Sequence, residues 1–507
     1  MAADLSTLKH WRFRTDVENI AWATVDVQGQ SQNTFGRESV EEFEAIVLAV
    51  EQGARDMSIR GLIVMSAKDR SFIAGADIRE FDTLKTEAEV VDAVRAVTAI
   101  FDRIEQLPIP VVAAIHGFCL GGGLEFALAC RYRIADREEG TRLGLPEVKL
   151  GLIPGLNGTA RWLRQSGPLN SMPHMLSGRM LRPSQALAAG IVDRLVPTRH
   201  ELRWAARKAV LQNRRSVRAG RALAPLVTVG PVRRFLAERM RKEVAARVRE
   251  EHYPAPFCLI ELFEKHGGSF EAMKREETRV FASLMISEQS RNLRRVFRLS
   301  EMLKAEAPKD GFAPLRAHVV GAGTMGADIA MVCVAEGMEV SLQDTSREAL
   351  EKARARAKPF FKKRLRSDLE VAKAMARLVS DPGGTQLHRA DVVIEAIFED
   401  LEAKQKAFAE IEPKLKPGAV LATNTSSLPI ERIASVLKDS GRLIGLHFFN
   451  PVPSLPLVEV VRGPASREEE LRKGAGFVGR IGKLPLLVKS APGFLVNRVL
   501  APYMFAA

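Results

Sequence analysis

The stretch IHGFCLGGGLEFALAC, residues 115–130, decides how the first half of this chain folds. An apolar run at 110–116 reads as a buried strand, and Gly121, Gly122 and Gly123 follow it. Three successive glycines let the backbone approach a ligand closely, and LEFALAC then opens a helix whose first-turn N–H groups have no intrahelical partner. That combination suits an anionic oxygen. Glu125 falls in the first turn, where the helix dipole favours a carboxylate, so charge complementarity alone would account for it.

Working outward, SFIAGADI (71–78) lies upstream and LGLPEVKLGLIPGLNGT (143–159) downstream. The second segment brings Glu147, beside Pro146; read alone it is an ordinary loop acid. Residues 17–27 (VENIAWATVDV) alternate as a half-buried strand, and 61–66 (GLIVMS) reads as a buried one. Helical patterns run between these strands, so the first 190 residues have an α/β pattern, with short strand–helix units loosely similar to one another.

The AGAD and GGGxE elements, then the PE and GxxPGxxGT elements, resemble the crotonase (enoyl-CoA hydratase/isomerase) superfamily in order and approximate spacing, over roughly residues 15–195. The resemblance implies a crotonase-type ββα spiral in which the Ala76 and Gly122 N–H groups form an oxyanion hole for an acyl-thioester carbonyl. Glu125 and Glu147 match the paired acids. Such a pair suits hydration of a 2-enoyl thioester, which needs a base to activate water at C3 and an acid to protonate C2. Two carboxyls sharing a site are pushed apart in pKa, so one can hold a proton while the other is ionised.

A second constellation starts at LRAHVVGAGTMGADIAMVCVAEGMEVSLQD, residues 315–344. A strand ends at Val320, Gly321, Gly323 and Gly326 make a tight turn, and a helix begins where a pyrophosphate would sit, with Thr324 and Met325 in the turn. Asp344 ends the next apolar strand, where a carboxylate can accept from a ribose hydroxyl; an acid there favours NAD over NADP. Strand and helix then alternate to about residue 490. His447 ends an expected strand, and Glu459 sits in a further strand-like run. An imidazole that takes a hydroxyl proton gains from a carboxylate that orients it, although a lone histidine is more often structural.

The segments ADVVIEAIFEDLEAKQKAF (390–408), LATNTSSLPI (421–430), GLHFFNPVPSLPLVEVV (445–461) and SAPGFLVNRVLAPYM (490–504) resemble the L-3-hydroxyacyl-CoA dehydrogenases. The resemblance implies His447 as general base, Glu459 as its partner, and Ser426, Asn450 and Asn497 as substrate contacts. Glu399 and Lys404 match positions on the nicotinamide side. Taken singly, Ser426 and Asn497 would read as turn and helix-start caps.

Composition bounds the remaining readings. The 507 residues are too many for one core, and no apolar run is long enough to span a membrane. Cys119, Cys130, Cys258 and Cys333 lack CxxC spacing and a His cluster, which argues for reduced thiols, a cytoplasmic setting and no metal site. The net charge is +14, and Arg203–Arg249 alone carries +12. That stretch is broken by Gly220, Pro225, Gly230 and Pro231, so it reads as a solvated helical connector or a docking surface; no nucleic-acid-binding signature accompanies it.

The order hydratase, helical connector, dehydrogenase resembles the bifunctional α-subunits of fatty-acid β-oxidation, including HYPAP at 252–256. It implies a hydratase domain at 1–198, a basic connector at 199–312, a doubly wound Rossmann domain at 313–493, and the start of a truncated helical C-terminal region at 494–507. The reaction implied is hydration of 2-enoyl-CoA followed by NAD-dependent oxidation to 3-oxoacyl-CoA, with a thiolase β-subunit as a possible partner. Two alternatives stay open at this point. One is a hydratase/enoyl-CoA isomerase beside an inert dehydrogenase half; the other is a CoA- and NAD-binding scaffold.

Overall fold

A computed structural model describes residues 5–217, 229–308, 312–365 and 367–506. The chain divides into two compact units, Met1–Phe297 and Arg298–Ala507.

The first unit is built on a six-stranded sheet in the order β1 (Trp11–Thr15), β2 (Ile20–Val25), β3 (Gly61–Ser66), β5 (Val111–Ile115), β7 (Tyr132–Asp136), β9 (Arg194–Val196). Only the β1–β2 pair is antiparallel. A smaller parallel sheet joins β4 (Ser71–Ile73), β6 (Phe118–Leu120) and β8 (Arg142–Gly144). β3, β5 and β7 each feed a short strand before the chain turns into a helix or helical turn, and the glycine triplet lies just after β6.

Two expectations change here. Residues 17–27 are not a half-buried strand, because β2 is shorter, lies between β1 and β3, and is almost wholly buried. The basic stretch 203–249 is not wholly solvated either. Helix Leu202–Leu211 lays Ala205, Ala206, Ala209 and Val210 over Ile63, Val112 and Ile134 of the large sheet. Helices Pro254–His266 and Phe270–Ile286 place Leu259, Ile260, Phe263, Met273 and Phe281 in the same core as Phe126 and Ile153. Helix Gly230–Ala245 is the exposed, basic element, with only Ala237 buried. The basic residues at 218–228, and the breaks at Gly220 and Pro225, lie outside the described residues.

The second unit has an eight-stranded sheet in the order β12 (Leu378–Ser380), β11 (Glu339–Gln343), β10 (Arg316–Val320), β13 (Val392–Glu395), β14 (Val420–Thr423), β15 (Leu443–Phe448), β16 (Leu457–Arg462), β17 (Leu484–Lys489). Strand order reverses at β10, whose neighbours β11 and β13 are reached by crossovers in opposite directions, and such a switch point opens a crevice at the strands' carboxyl ends. Helix Thr324–Ala335 follows β10 and is almost entirely buried. The regular alternation breaks at β15, since β16 returns antiparallel without an intervening helix and pairs His447 directly with Glu459.

Candidate active sites

In the first unit, the turn after β6 forces the glycines. Gly121 has φ +50°, and a Cβ on Gly123 would lie 2.1 Å from the Ile73 carbonyl oxygen, so no side chain fits there. Helix Gly122–Ala129 therefore starts hard against β4 and is buried along its whole length. A Cβ on Gly122 would come within 3.7 Å of Ala76 N, so the two amides expected to form an oxyanion hole border one space. Phe35 N donates to Gly75 O and Asp77 N donates to Phe35 O, a ladder that passes over the Ala76 N–H.

Glu125 projects from that helix into the interior. Its Oε1 accepts from Leu156 N at 2.7 Å and from Gly158 N at 2.9 Å. Asn157 between them has φ +66°, the left-handed conformation that asparagine tolerates in place of glycine. Burial pushes the Glu125 carboxyl up to about 7, although the two amides and the Arg161 charge pull the other way. Glu147 begins the short helical turn Glu147–Leu150, near Gly121. Both of its carboxyl oxygens are out of solvent and accept no hydrogen bond from the described residues. Burial, then the neighbouring Glu125 and Glu277 charges, raise its pKa well above the ordinary carboxylate value. One carboxyl is held by two amides and the other accepts no hydrogen bond from the rest of the described residues, an asymmetry that fits a base and an acid.

Sequence reasoning missed Glu277. It is fully buried, with Oε1 accepting from Thr159 N at 2.9 Å and Oε2 from Ala160 N at 3.0 Å. Burial and the Glu125 charge push it up to about 8 against those two amides. A signal was present: in Phe270–Ile286 the buried positions Met273, Glu277, Phe281 and Leu284 form one helical stripe, so an acid occupies a core position.

In the second unit His447 Nδ1 lies 2.7 Å from Glu459 Oε2, and both residues are buried. Glu459 Oε1 accepts from Leu495 N at 3.0 Å and Val496 N at 2.8 Å, the start of helix Val496–Ala506. Burial opposes its charge, but the His447 contact and these amides outweigh burial and keep its pKa below the ordinary range. The imidazole is flanked by the rings of Phe449 and Phe494, with centroids at 4.5 and 5.5 Å. Asn497 lies one residue into the helix that holds Glu459, and Asn450 is exposed just beyond β15 in a cis peptide with Pro451.

Glu399 Oε1 accepts from Ser426 N at 2.8 Å, Ser427 N at 3.1 Å and Thr425 Oγ1 at 2.6 Å, so it holds the turn that carries Ser426. Lys404 is fully buried; its Nζ donates to Glu395 Oε1 at 2.7 Å and lies 3.4 Å from Glu399 Oε2, so it pairs with both carboxylates.

The residues after β10 fit a dinucleotide. A Cβ on Gly323 would meet nothing within 4 Å, whereas one on Gly326 would lie 1.9 Å from Gly321 O, giving an open approach above and tight helix–strand packing below. Asp344 Oδ2 accepts from Ala322 N at 2.7 Å and Oδ1 from Ser346 N at 2.8 Å, which fixes the carboxylate beside the glycine turn. Gly321–Gly326 would cradle the pyrophosphate of NAD and Asp344 would meet a ribose hydroxyl.

Comparison with known proteins identifies the family of each half of the chain. Residues 18–225 match the enoyl-CoA hydratase/isomerase family, and residues 316–491 match the NAD-binding domain of 3-hydroxyacyl-CoA dehydrogenase. The protein is a bifunctional enzyme: an NAD-dependent dehydrogenase joined to a crotonase-fold hydratase. The chain is 38% identical over 512 residues to the fatty acid oxidation complex subunit alpha of Vibrio vulnificus, covering 99% of this chain and 72% of that relative. The corresponding subunit of Vibrio campbellii is 36% identical over 510 residues (99% and 72%), and that of Idiomarina loihiensis 37% over 497 (96% and 70%). This chain belongs to the family of fatty acid oxidation complex alpha subunits. No helix among the described residues is long and apolar enough to cross a membrane.

Proposed function

We propose that the two sites act in turn on one acyl thioester, with the residues in the following roles. In the first unit Glu125, with Oε1 tied to Leu156 and Gly158, takes the proton of a water as its oxygen bonds to C3 of a 2-enoyl-CoA. Glu147, kept protonated by burial and by the Glu125 charge, delivers its proton to C2. The Ala76 and Gly122 N–H groups stabilise the thioester oxygen while it carries enolate charge; one such donor is worth roughly 3–4 kcal/mol.

In the second unit His447 takes the proton of the 3-hydroxyl, and Glu459 fixes the ring and stabilises its charged form. NAD, when bound, accepts the hydride from C3. Ser426 and Asn497 hold the substrate oxygen, Asn450 lines its approach, and Glu399, braced by Lys404, sets the Ser426 turn. The relatives are subunits of a fatty acid oxidation complex, which supports assembly with a second subunit, for which a thiolase is the natural consumer of a 3-oxoacyl-CoA. Four free cysteines support a cytoplasmic setting.

The observation that carries this reading is the unequal environment of Glu125 and Glu147, one bound by two amides and one that accepts no hydrogen bond from the rest of the described residues. Its test is hydration of a 2-enoyl-CoA followed by loss of the enoyl-thioester absorbance. Glu125→Gln and Glu147→Gln should each lower kcat by roughly 100-fold or more while oxidation of supplied L-3-hydroxyacyl-CoA continues. Hydration at the wild-type rate in either variant would remove that carboxyl from the mechanism.

A further inference from the structure

The turn that holds Glu125 is gripped from both sides. Its Leu156 and Gly158 N–H groups donate to Glu125, and the next two amides, Thr159 and Ala160, donate to Glu277 on a helix more than a hundred residues further along the chain. Four N–H groups within five residues are thus divided between two buried carboxyls. The turn has no slack: a Cβ on Gly158 would lie 2.6 Å from Glu125 Cγ, and one on Gly155 would lie 2.7 Å from the ring of Phe281, one helical turn after Glu277. Ser269 caps that helix through Ala272 N, and Lys274 pairs with Asp102, so the helix is anchored apart from the contact itself.

We propose that Glu277 is a positioning residue of the hydratase site: by fixing the Thr159–Ala160 end of the turn it sets the direction of the two N–H groups that hold Glu125. The helical segment after the hydratase core is then part of the catalytic apparatus. This inference rests on the reading of Glu125 as a catalytic carboxyl. Glu277 touches no reacting atom and acts through the backbone. The charged groups that bear on Glu125 and Glu277 are Glu147 from its helical turn and Arg161 from helix Gly158–Ser166. Arg161 is itself paired with Asp102 and Glu105 of helix Glu87–Gln106.

The full chain carrying Glu277→Ala or Glu277→Gln tests this, with hydration measured across pH and oxidation of L-3-hydroxyacyl-CoA as an internal control. Loss of the grip loosens the amides on Glu125. Hydration kcat should therefore fall roughly 10- to 100-fold with KM little changed, and the acid limb of the pH profile should move to higher pH, because the amides are what favour the Glu125 charge. Glu277→Gln keeps one acceptor and should lie between wild type and Glu277→Ala in both respects. Should Glu277→Ala not fold, the isosteric Gln variant decides on the same two readouts. Folded variants whose kcat and acid limb match wild type overturn the proposal. So does a loss of activity that merely tracks loss of folded protein with an unmoved limb. A wild-type chain that hydrates nothing, or a Glu125→Gln variant of full activity, overturns the hydratase reading instead.

Discussion

His447 and Glu459 face each other as a directly paired couple across antiparallel β15 and β16, joined by a 2.7 Å contact. The only antiparallel neighbours in this sheet are therefore the two strands that bring base and orienting acid together. Glu459→Gln should leave the imidazole in place but deprive its cation of a counter-charge, lowering kcat for oxidation of L-3-hydroxyacyl-CoA by about 100-fold with little change in KM. Steady-state NADH formation checks this, and a variant of wild-type kcat would leave Glu459 a structural acid.

Hydration should show an acid limb near neutrality. Glu125 must be charged to take a proton from water, and burial raises it to about 7, so kcat/KM should fall as pH drops through that value. At higher pH activity should fall again as Glu147 loses the proton it donates. A profile still flat at pH 5 would show that Glu125 is not the base.

Stability should carry the mark of Glu277. Its ordinary value is 4.5 and its folded value about 8, so the folded state holds the proton more tightly. That contribution is complete below the unfolded value and is lost as pH rises through the folded one, at about 1.4 kcal/mol per pH unit for one such group. The stability of wild type relative to Glu277→Gln should thus decline between pH 5 and pH 8 in chemical denaturation. A difference that grows with pH would mean that the carboxyl is held charged throughout.

Gly326→Ala separates the two activities. The added methyl would sit 1.9 Å from Gly321 O and push helix Thr324–Ala335 off the turn that faces the pyrophosphate. Overpacking of this kind costs about 1–3 kcal/mol, so NAD affinity by calorimetry should drop roughly tenfold or more. Hydration by the first unit should persist; unchanged NAD affinity would contradict the proposed cradle.

What was legible in the sequence was local chemistry. The glycine turn at 321–326 with Asp344 specifies strand, turn, helix and strand within one short span, and the pairs Glu125/Glu147 and His447/Glu459 stand in recognisable motifs. What escaped depends on contacts distant in sequence. β2 is buried on both faces because helix Leu202–Leu211 packs with Ile20 and Trp22 while the main core takes Ala21, Ala23 and Val25, and Lys404 is buried where it pairs with Glu395. Glu277 sits in a charge-rich run, KREETR, where nothing local distinguishes it from the half-buried Glu276 beside it until the apolar stripe of its helix is traced. The connector looked solvated because its net charge conceals the alanines and aromatics it turns inward.

The central claim, consecutive reactions by one chain, is tested most directly by supplying a 2-enoyl-CoA and NAD to the purified protein and following absorbance at 340 nm. The account predicts NADH formation that Glu147→Gln removes and that supplied L-3-hydroxyacyl-CoA restores. Hydration without NADH, even from supplied L-3-hydroxyacyl-CoA, would contradict it.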